Sequence, residues 1–156
     1  MKTKTTIASL LKEVGKEFNT VTVPEDMPIS EIVDHIFRAR EERIIFVTGE
    51  TGKLVGIVSL GDLARHFFAE GIYHRKDTHI GSNILRYLTA RTAHDIMTRN
   101  FTACRMEDEL GAVIKRMTSG SRMIKTLPIL DDTGRVIGTL DSLEILEFLA
   151  GNGAGG

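Results

Sequence analysis

The chain has 156 residues, of which 42% are hydrophobic and 26% charged, and its formal net charge is −1. This composition is typical of a globular protein with one domain or two small units, and it excludes disordered and membrane-spanning classes. The near-zero net charge gives no general field that would attract nucleic acid or an anionic membrane. Its single cysteine excludes an intramolecular disulfide and a cysteine-rich zinc site. Because no apolar N-terminal stretch resembles a signal peptide, we expect a cytoplasmic protein.

The first half of the chain carries a series of amphipathic patterns. Apolar residues at helical spacing from Ile7 to Val14 follow Thr5 and Thr6, which predicts a short capped helix. A strand over 21–23 comes next, and then a helix with one apolar stripe formed by Ile29, Ile32, Val33, Ile36 and Phe37. A hairpin of strands 44–47 and 54–58 follows. The closing helix is predicted to bury Leu60, Leu63, Ala64, Phe67 and Phe68.

The same order of elements returns in the second half at an almost constant offset. A short helix is predicted over 93–98, a strand over 102–104 and a hairpin over 127–129 and 136–140. The helix stripe recurs at an offset of 81 (110 − 29 = 81) as Leu110, Val113, Ile114 and Met117. The closing helix is predicted to bury Ile145, Leu146, Leu149 and Ala150. The chain is therefore a duplication of a β-α-β-β-α unit.

These patterns predict an α+β fold made of two repeats. The predicted limits are 5–70 for repeat one, 71–91 for a linker with a helix, 92–150 for repeat two and 151–156 for a flexible tail, with a helix stop at Gly151. A unit of about 60 residues buries only a marginal core. We therefore expect the repeats to pack through their sheets with pseudo-two-fold symmetry.

Each hairpin leads straight into its closing helix through a polar turn. The first turn reads Gly56-Ile57-Val58-Ser59-Leu60-Gly61-Asp62, and the second, at an offset of 82 (138 − 56 = 82), reads Gly138-Thr139-Leu140-Asp141-Ser142-Leu143-Glu144. Ser59 and Asp62 have capping-box spacing, and Asp141 and Glu144 meet the same requirement. A helix start also offers N–H groups that suit phosphate, and a nearby carboxylate suits two ribose hydroxyls. The structural and the ligand-binding interpretations both stay open.

From 5 to 150 the chain resembles a tandem pair of cystathionine-β-synthase-type (CBS) domains. The first turn fits the family signature Gly-apolar-x-(Ser/Thr)-x-x-Asp fully, whereas the second has Asp141 in place of Ser or Thr and Glu144 in place of Asp. Pro128-Ile129 matches the family's Pro-Val step, where repeat one has Phe46-Val47.

The resemblance implies a regulatory module without catalysis or a required cofactor. It implies binding of an adenosine-containing ligand such as AMP, ADP, ATP, S-adenosylmethionine or NADH in clefts between the repeats. It also implies a homodimer that passes ligand occupancy to a separate effector protein.

The first repeat is predicted to carry the better phosphate site. Ser59 would donate to phosphate and Asp62 would accept from ribose. The resemblance also implies that the equivalent basic residues Arg43 and Lys125 (125 − 43 = 82), just ahead of a strand in each repeat, reach the phosphates. The predicted apolar and backbone contacts to adenine involve Gly56, Ile57, Val58, Val21, Thr22, Val23 and Ile45. A weaker second site would use Asp141, Glu144, Thr139, Thr102 and Arg122. Asp141 would repel phosphate there, which leaves the second site empty or suited to a neutral or cationic ligand.

Simpler interpretations compete with each of these assignments. Basic side chains are most often solvated, and apolar strand residues most often belong to a core. The acidic second turn also favours a different function, a ligand-free scaffold for dimerisation and protein docking.

Other chemistries are not supported by the sequence. Cys104 and His94 lack a third orienting group for catalysis, and the five histidines lack metal-site spacing, so neither an enzyme nor a metal site is expected. His74-Arg75-Lys76 beside Tyr73 is too small a basic cluster to predict nucleic-acid binding.

Overall fold

The fold contains two β-α-β-β-α repeats, which confirms the predicted α+β class. The computed structural model describes residues 4–16, 20–38, 44–69 and 91–155. In chain order, the described elements are α1 (Ile7–Val14), β1 (Thr22–Pro24), α2 (Ile29–Arg38), β2 (Ile44–Thr48), β3 (Leu54–Ser59), α3 (Leu60–Ala69), α4 (Ala93–Ile96), β4 (Cys104–Arg105), α5 (Leu110–Thr118), β5 (Thr126–Leu130), β6 (Val136–Asp141) and α6 (Ser142–Gly155). The predicted linker residues 71–90 lie outside the described part of the chain.

Each repeat forms a mixed three-stranded sheet. The sheet orders are β1-β2-β3 and β4-β5-β6, with the first pair of strands parallel and the second pair antiparallel in both. Gly52 and Gly134 lie at the same place in the two hairpins (134 − 52 = 82) and have φ of 82° and 86°. These left-handed values suit glycine, which explains why both turns carry it. The predicted hairpins are confirmed.

The two compact units of the chain do not follow the order of the repeats. The first-repeat unit falls within Val21–Phe101, and the second-repeat unit combines Met1–Thr20 with Thr102–Gly156. Helix α1 therefore packs with the second repeat and helix α4 with the first. The short helix that precedes each repeat in sequence belongs to the other repeat's unit.

The cores of the two units use equivalent positions. In the first-repeat unit the core cluster consists of Val23, Ile29, Ile32, Ile36, Ile45, Val47, Val58, Leu63, Ala93 and Ile96. In the second-repeat unit they are Ile7, Leu10, Leu11, Cys104, Leu110, Val113, Met117, Leu127, Ile129, Leu140, Ile145 and Phe148. The helix stripes predicted from their spacing supply much of both cores, since residues three and four apart share one helix face.

Local capping accounts for the start and end of α1. The Ser9 N–H donates to Thr6 Oγ1 at 3.2 Å, and the Ser9 hydroxyl accepts from the Thr6 N–H at 3.2 Å. Gly15 ends the helix with φ of 67°, a left-handed conformation common at helix C-termini. Of the two predicted candidates, Thr5 and Thr6, the cap is Thr6.

The predicted burial of the closing helices is partly wrong. Leu146 and Leu149 are 62% and 47% exposed, and Leu60 and Ala150 are exposed as well. Helix α6 buries Ile145, as predicted, and Phe148 in place of the two leucines, because its apolar residues occupy two faces and only one can face the sheet. The helix also continues to Gly155, so the predicted stop at Gly151 is wrong. The side chains of Phe37, Phe67 and Phe68 lie outside the described part.

Candidate functional site

The turn from β3 into α3 forms a complete capping box. The Asp62 N–H donates to Ser59 Oγ at 3.1 Å, and Asp62 Oδ2 accepts from the Ser59 N–H at 3.0 Å. The Ser59 hydroxyl also donates to Asp62 Oδ2 at 2.9 Å. Because a hydroxyl has one proton, Ser59 can donate to a phosphate only by giving up its bond to Asp62.

The second carboxylate oxygen of Asp62 faces weaker contacts. Asp62 Oδ1 accepts from Thr98 Oγ1 at 3.5 Å and lies 3.8 Å from Arg65 Nη1. The Asp62 side chain is 14% exposed and that of Arg65 is 76% exposed. A carboxylate oxygen with long contacts and an exposed cation beside it can take a new donor at little cost. This oxygen is therefore the acceptor that the first turn offers.

The predicted adenine contacts in the first-repeat unit fall on both faces of its sheet. Thr22, Phe46 and Ile57 are direct neighbours across the three strands and share one face. Thr22 is exposed and Ile57 half-buried.

The other predicted contacts point the opposite way. The side chains of Val23, Ile45 and Val58 are at most 1% exposed and belong to the core with the α2 stripe, as the simpler interpretation expected. Their side chains therefore serve packing. Val21 is half-buried and packs against the same core.

Gly56 has a packing reason to be glycine. A Cβ added there would lie 2.9 Å from Met97 Cβ and 2.5 Å from Met97 Sδ. Met97 follows α4 and packs against the core of this unit. The first glycine of the signature thus lets the segment after α4 approach β3, where the N–H groups of Ile57 and Thr98 donate to each other's carbonyl oxygens at 3.0 and 2.8 Å.

The turn from β6 into α6 uses carboxylates in place of the serine. Asp141 Oδ1 accepts from the Leu143 N–H at 2.8 Å, and Asp141 Oδ2 accepts from the Thr126 hydroxyl at 3.0 Å. Glu144 Oε2 accepts from the Asp141 N–H at 3.2 Å. The N–H groups of Asp141 and Leu143 are thus bonded to the chain's own carboxylates, and the Ser142 N–H donates to the Lys125 carbonyl oxygen at 2.8 Å.

A lysine covers the rest of the second turn. Lys16, just after α1, donates from Nζ to the Thr139 carbonyl oxygen at 2.7 Å and to Thr139 Oγ1 at 2.8 Å. Lys16 Nζ also forms an ion pair with Glu144 Oε1, and the two side chains are only 17% and 15% exposed. Oε1, the carboxylate oxygen of Glu144 that takes no part in capping, is therefore paired with the charge of Lys16.

The remaining predicted residues come just before strands in the sequence. Lys125 and Arg122 are exposed and precede β5, and the Lys125 carbonyl accepts from the Ser142 N–H at 2.8 Å. Thr102 is half-buried just before β4. Arg43 lies outside the described residues.

Cys104 and His94 occupy different compact units, and the cysteine lies in a core. Burial raises the pKa of the Cys104 thiol to about 12, and the charge of Asp108 adds to the rise, so the thiol is protonated at neutral pH. A protonated thiol is a poor nucleophile. His94 instead contacts Arg99, Nε2 to Nη2, at 2.6 Å.

Two negative observations apply to the described part of the chain. No three His, Cys, Asp or Glu residues come together there as metal ligands would. None of its helices is both long and apolar enough to span a membrane.

Sequence reasoning missed three polar residues beside the turns. Arg65 is three residues after Asp62, and such a pair shares a helix face, so its contact was accessible from spacing. Thr98 and Lys16 reach their turns only because the short helices exchange units. No local pattern signals that exchange.

The chain matches one protein family. A family model described as CBS domain matches residues 11–69 and 93–151, which is more than half of the chain. A comparison with curated proteins gives no significant match.

Solved structures share the fold. A CBS domain-containing protein from Thermotoga maritima is 27% identical, with 93% of this chain and 94% of that chain covered and a TM-score of 0.67. The CBS domain pair of protein MJ0100, in complex with 5′-methylthioadenosine and S-adenosyl-L-methionine, is 21% identical, with coverage of 96% and 99% and a TM-score of 0.66. The cytosolic domain of the Mg²⁺ channel MgtE, in complex with ATP, is 23% identical, with coverage of 82% and 44% and a TM-score of 0.59.

Proposed function

Because the chain belongs to the CBS-domain family, we propose that it is a regulatory module that binds an adenine nucleotide through its first repeat. It acts in the cytoplasm on a separate effector protein and carries out no catalysis itself. The ligand is AMP, ADP or ATP, with S-adenosylmethionine and NADH as further candidates to be tested.

One observation carries this proposal: Asp62 completes the signature turn while keeping Oδ1 weakly engaged. Its contacts to Thr98 and Arg65 are 3.5 and 3.8 Å long. A ribose diol can donate two hydrogen bonds to a carboxylate, and bonds to a charged acceptor are the stronger kind. Arg65, exposed beside this carboxylate, can turn toward a phosphate, a role that guanidinium groups suit.

The ligands of two related structures support the chemical class. The MJ0100 pair holds two adenosine derivatives and the MgtE domain holds ATP. All three ligands share adenine and ribose, and they differ in the group attached to the ribose. A carboxylate that binds the ribose hydroxyls therefore suits every ligand of this class, and contacts to the group attached to the ribose determine which ligand binds best.

Calorimetric titration tests the proposal. AMP, ADP, ATP, S-adenosylmethionine and NADH are each titrated into the wild type and into Asp62→Asn, which keeps the size of the side chain and removes its charge. We expect at least one nucleotide to bind the wild type, and its affinity for Asp62→Asn to fall by about 10- to 100-fold, since a charged acceptor is lost.

Asp95→Asn provides a matched control in the same unit. Asp95 Oδ2 accepts from the Thr92 N–H at 2.8 Å in a capping box at α4, so this variant loses a similar cap away from the ribose acceptor. Its affinity should stay within about twofold of the wild type. Equal losses in both variants would reduce the role of Asp62 to capping, and no heat with any ligand would overturn nucleotide binding.

A second function, a homodimerisation and docking scaffold, is favoured by one surface. Leu143, Leu146 and Leu149 are exposed along one side of α6. Three leucines at helical spacing form an apolar stripe of the kind that another helix covers. The occupant we propose is the same stripe of a second copy, because identical apolar stripes are self-complementary in a two-fold dimer.

Sedimentation equilibrium of wild type and Leu146→Glu tests this second function. The wild type should be a dimer at micromolar concentration, and the variant should dissociate at least about tenfold more readily because a charge would be buried in the contact. Glu147→Gln, on the neighbouring exposed position, is the control. An effector that is captured equally with and without nucleotide would favour the scaffold over the sensor.

A further inference from the structure

The ammonium group of Lys16 is fully coordinated by the second-repeat turn. It has three N–H donors, and its three acceptors are the Thr139 carbonyl oxygen, Thr139 Oγ1 and Glu144 Oε1. Both charged side chains are mostly buried, at 17% and 15% exposed. Separating such a pair would leave two poorly solvated charges, which costs far more than breaking an exposed ion pair.

The same positions of the first repeat are served by Thr98. Thr139 is equivalent to Ile57 and Glu144 to Asp62 (139 − 57 = 82; 144 − 62 = 82). The Ile57 carbonyl accepts from the Thr98 N–H at 2.8 Å, and Asp62 Oδ1 accepts from the Thr98 hydroxyl at 3.5 Å. The Lys16 ammonium therefore contacts the same two acceptors, a strand carbonyl oxygen and a carboxylate, that Thr98 contacts in the other unit. Unlike Thr98, Lys16 is charged and forms an ion pair with the carboxylate.

We propose that Lys16 is a specificity-determining residue that acts as a built-in substitute for ligand in the second repeat. Its ammonium engages the carboxylate that would otherwise accept from a ribose, so the second turn is closed to nucleosides while the first stays open. Neutral ribose hydroxyls cannot compete with a charge-assisted contact inside a mostly buried pair. This inference rests on the proposed function, and it explains asymmetry through the ribose acceptor rather than through phosphate repulsion by Asp141.

Adenosine is the probe that separates these two causes of asymmetry, because it has a ribose and no phosphate. Calorimetry of the wild type should give one adenosine per chain. Lys16→Met, which keeps an unbranched side chain without charge, should give two, and Lys16→Met with Glu144→Gln should return to one. Lys16→Arg retains a cation and should stay at one.

The outcomes separate this inference from the proposed function. One adenosine per chain in both the wild type and Lys16→Met would overturn the role of Lys16 and leave first-repeat binding intact. Two per chain in the wild type would also overturn it. No adenosine binding to either protein, with AMP still bound by the wild type, would overturn the inference alone, and no binding of adenosine or of AMP would overturn the proposed function with it.

Acetylation of the wild-type protein tests the role of Lys16 without any variant. An amine-acetylating reagent should modify Lys16 at least about tenfold more slowly than Lys12, an exposed residue on α1, because the buried pair must open first. Saturating adenosine should leave the Lys16 rate unchanged. Equal rates for the two lysines, or faster modification of Lys16 with adenosine, would overturn the inference.

Discussion

In the first repeat the carboxylate at the helix start meets a threonine hydroxyl, whereas in the second repeat the equivalent carboxylate meets a lysine ammonium. The strands and the hairpin glycines are alike, and so is the bond that each carboxylate accepts from the N–H group three residues before it. The difference thus comes from residues outside the duplicated hairpin, at the ends of the two short helices. Two repeats with the same backbone can therefore differ in function: one turn is left available to a ligand, and the other is occupied by a side chain of the protein itself.

The largest expected effect uses Cys104, the single cysteine, as a reporter of the second-repeat unit. Burial raises its pKa from 9.0 to about 12, so at pH 8 its thiolate fraction should fall about 1,000-fold relative to the unfolded chain. Iodoacetamide should therefore alkylate the native protein far more slowly than the protein in urea. Lys16→Met should raise the native rate by loosening this unit, and Asp62→Asn should not. An equal rise in both variants would contradict the separate roles of the two turns.

The next effect concerns the stability of the lysine contact. Lys16→Met should lower the free energy of unfolding by about 2–3 kcal/mol, because Glu144 is left mostly buried without its partner. Thr98→Val removes a long, exposed hydrogen bond from a neutral donor to Asp62 and should cost about 0.5–1 kcal/mol. Urea denaturation of both variants measures the comparison. A Lys16→Met cost no greater than that of Thr98→Val would show that the pair is no stronger than its neutral counterpart.

A substitution at Gly56 tests whether close packing against Met97 explains the glycine in the first turn. Gly56→Ala should destabilise the protein by about 1–3 kcal/mol, since its Cβ would overlap Met97, whose Cβ would lie 2.9 Å away. Gly61→Ala is the matched control in the same turn, because its Cβ would meet Ser59 Oγ at an ordinary 3.6 Å. Thermal denaturation should show a loss for the first variant alone. If alanine is tolerated at Gly56, packing is not the reason for the glycine, and its role is to leave room for a ligand.

The smallest effect is expected from making the second turn resemble the first. Asp141→Ser keeps a capping side chain and loses the bond from the Thr126 hydroxyl, so stability should change by less than about 1 kcal/mol. Because Lys16 still engages Glu144, this variant should bind no additional AMP in calorimetry. A second AMP per chain would show that the charge of Asp141, and not Lys16, closes the second turn.

Periodicity predicted most of the fold and part of the site. The α2 and α5 stripes and both hairpins follow from spacing and from glycine in the turns, because these features depend on neighbours in sequence. The capping boxes could also be predicted from the sequence, since the two residues of each box lie three positions apart.

The failures share a different cause. Leu146 and Leu149 were expected in the core together with Ile145, but α6 is apolar on two faces, and only tertiary packing selects the face of Ile145 and Phe148. Lys16 lies 123 residues before Thr139, and its contact depends on α1 joining the second-repeat unit. Such long-range exchange leaves no local signal in the sequence.

The most direct test of the asymmetry is to locate bound AMP residue by residue. In two-dimensional NMR of ¹⁵N-labelled protein, saturating AMP should shift the amide signals of Ser59, Leu60, Gly61 and Asp62. The amides of Asp141, Ser142, Leu143 and Glu144 should keep their free positions. Equal shifts at both turns, or shifts confined to the second, would contradict the claim that the first repeat binds the nucleotide while Lys16 closes the second.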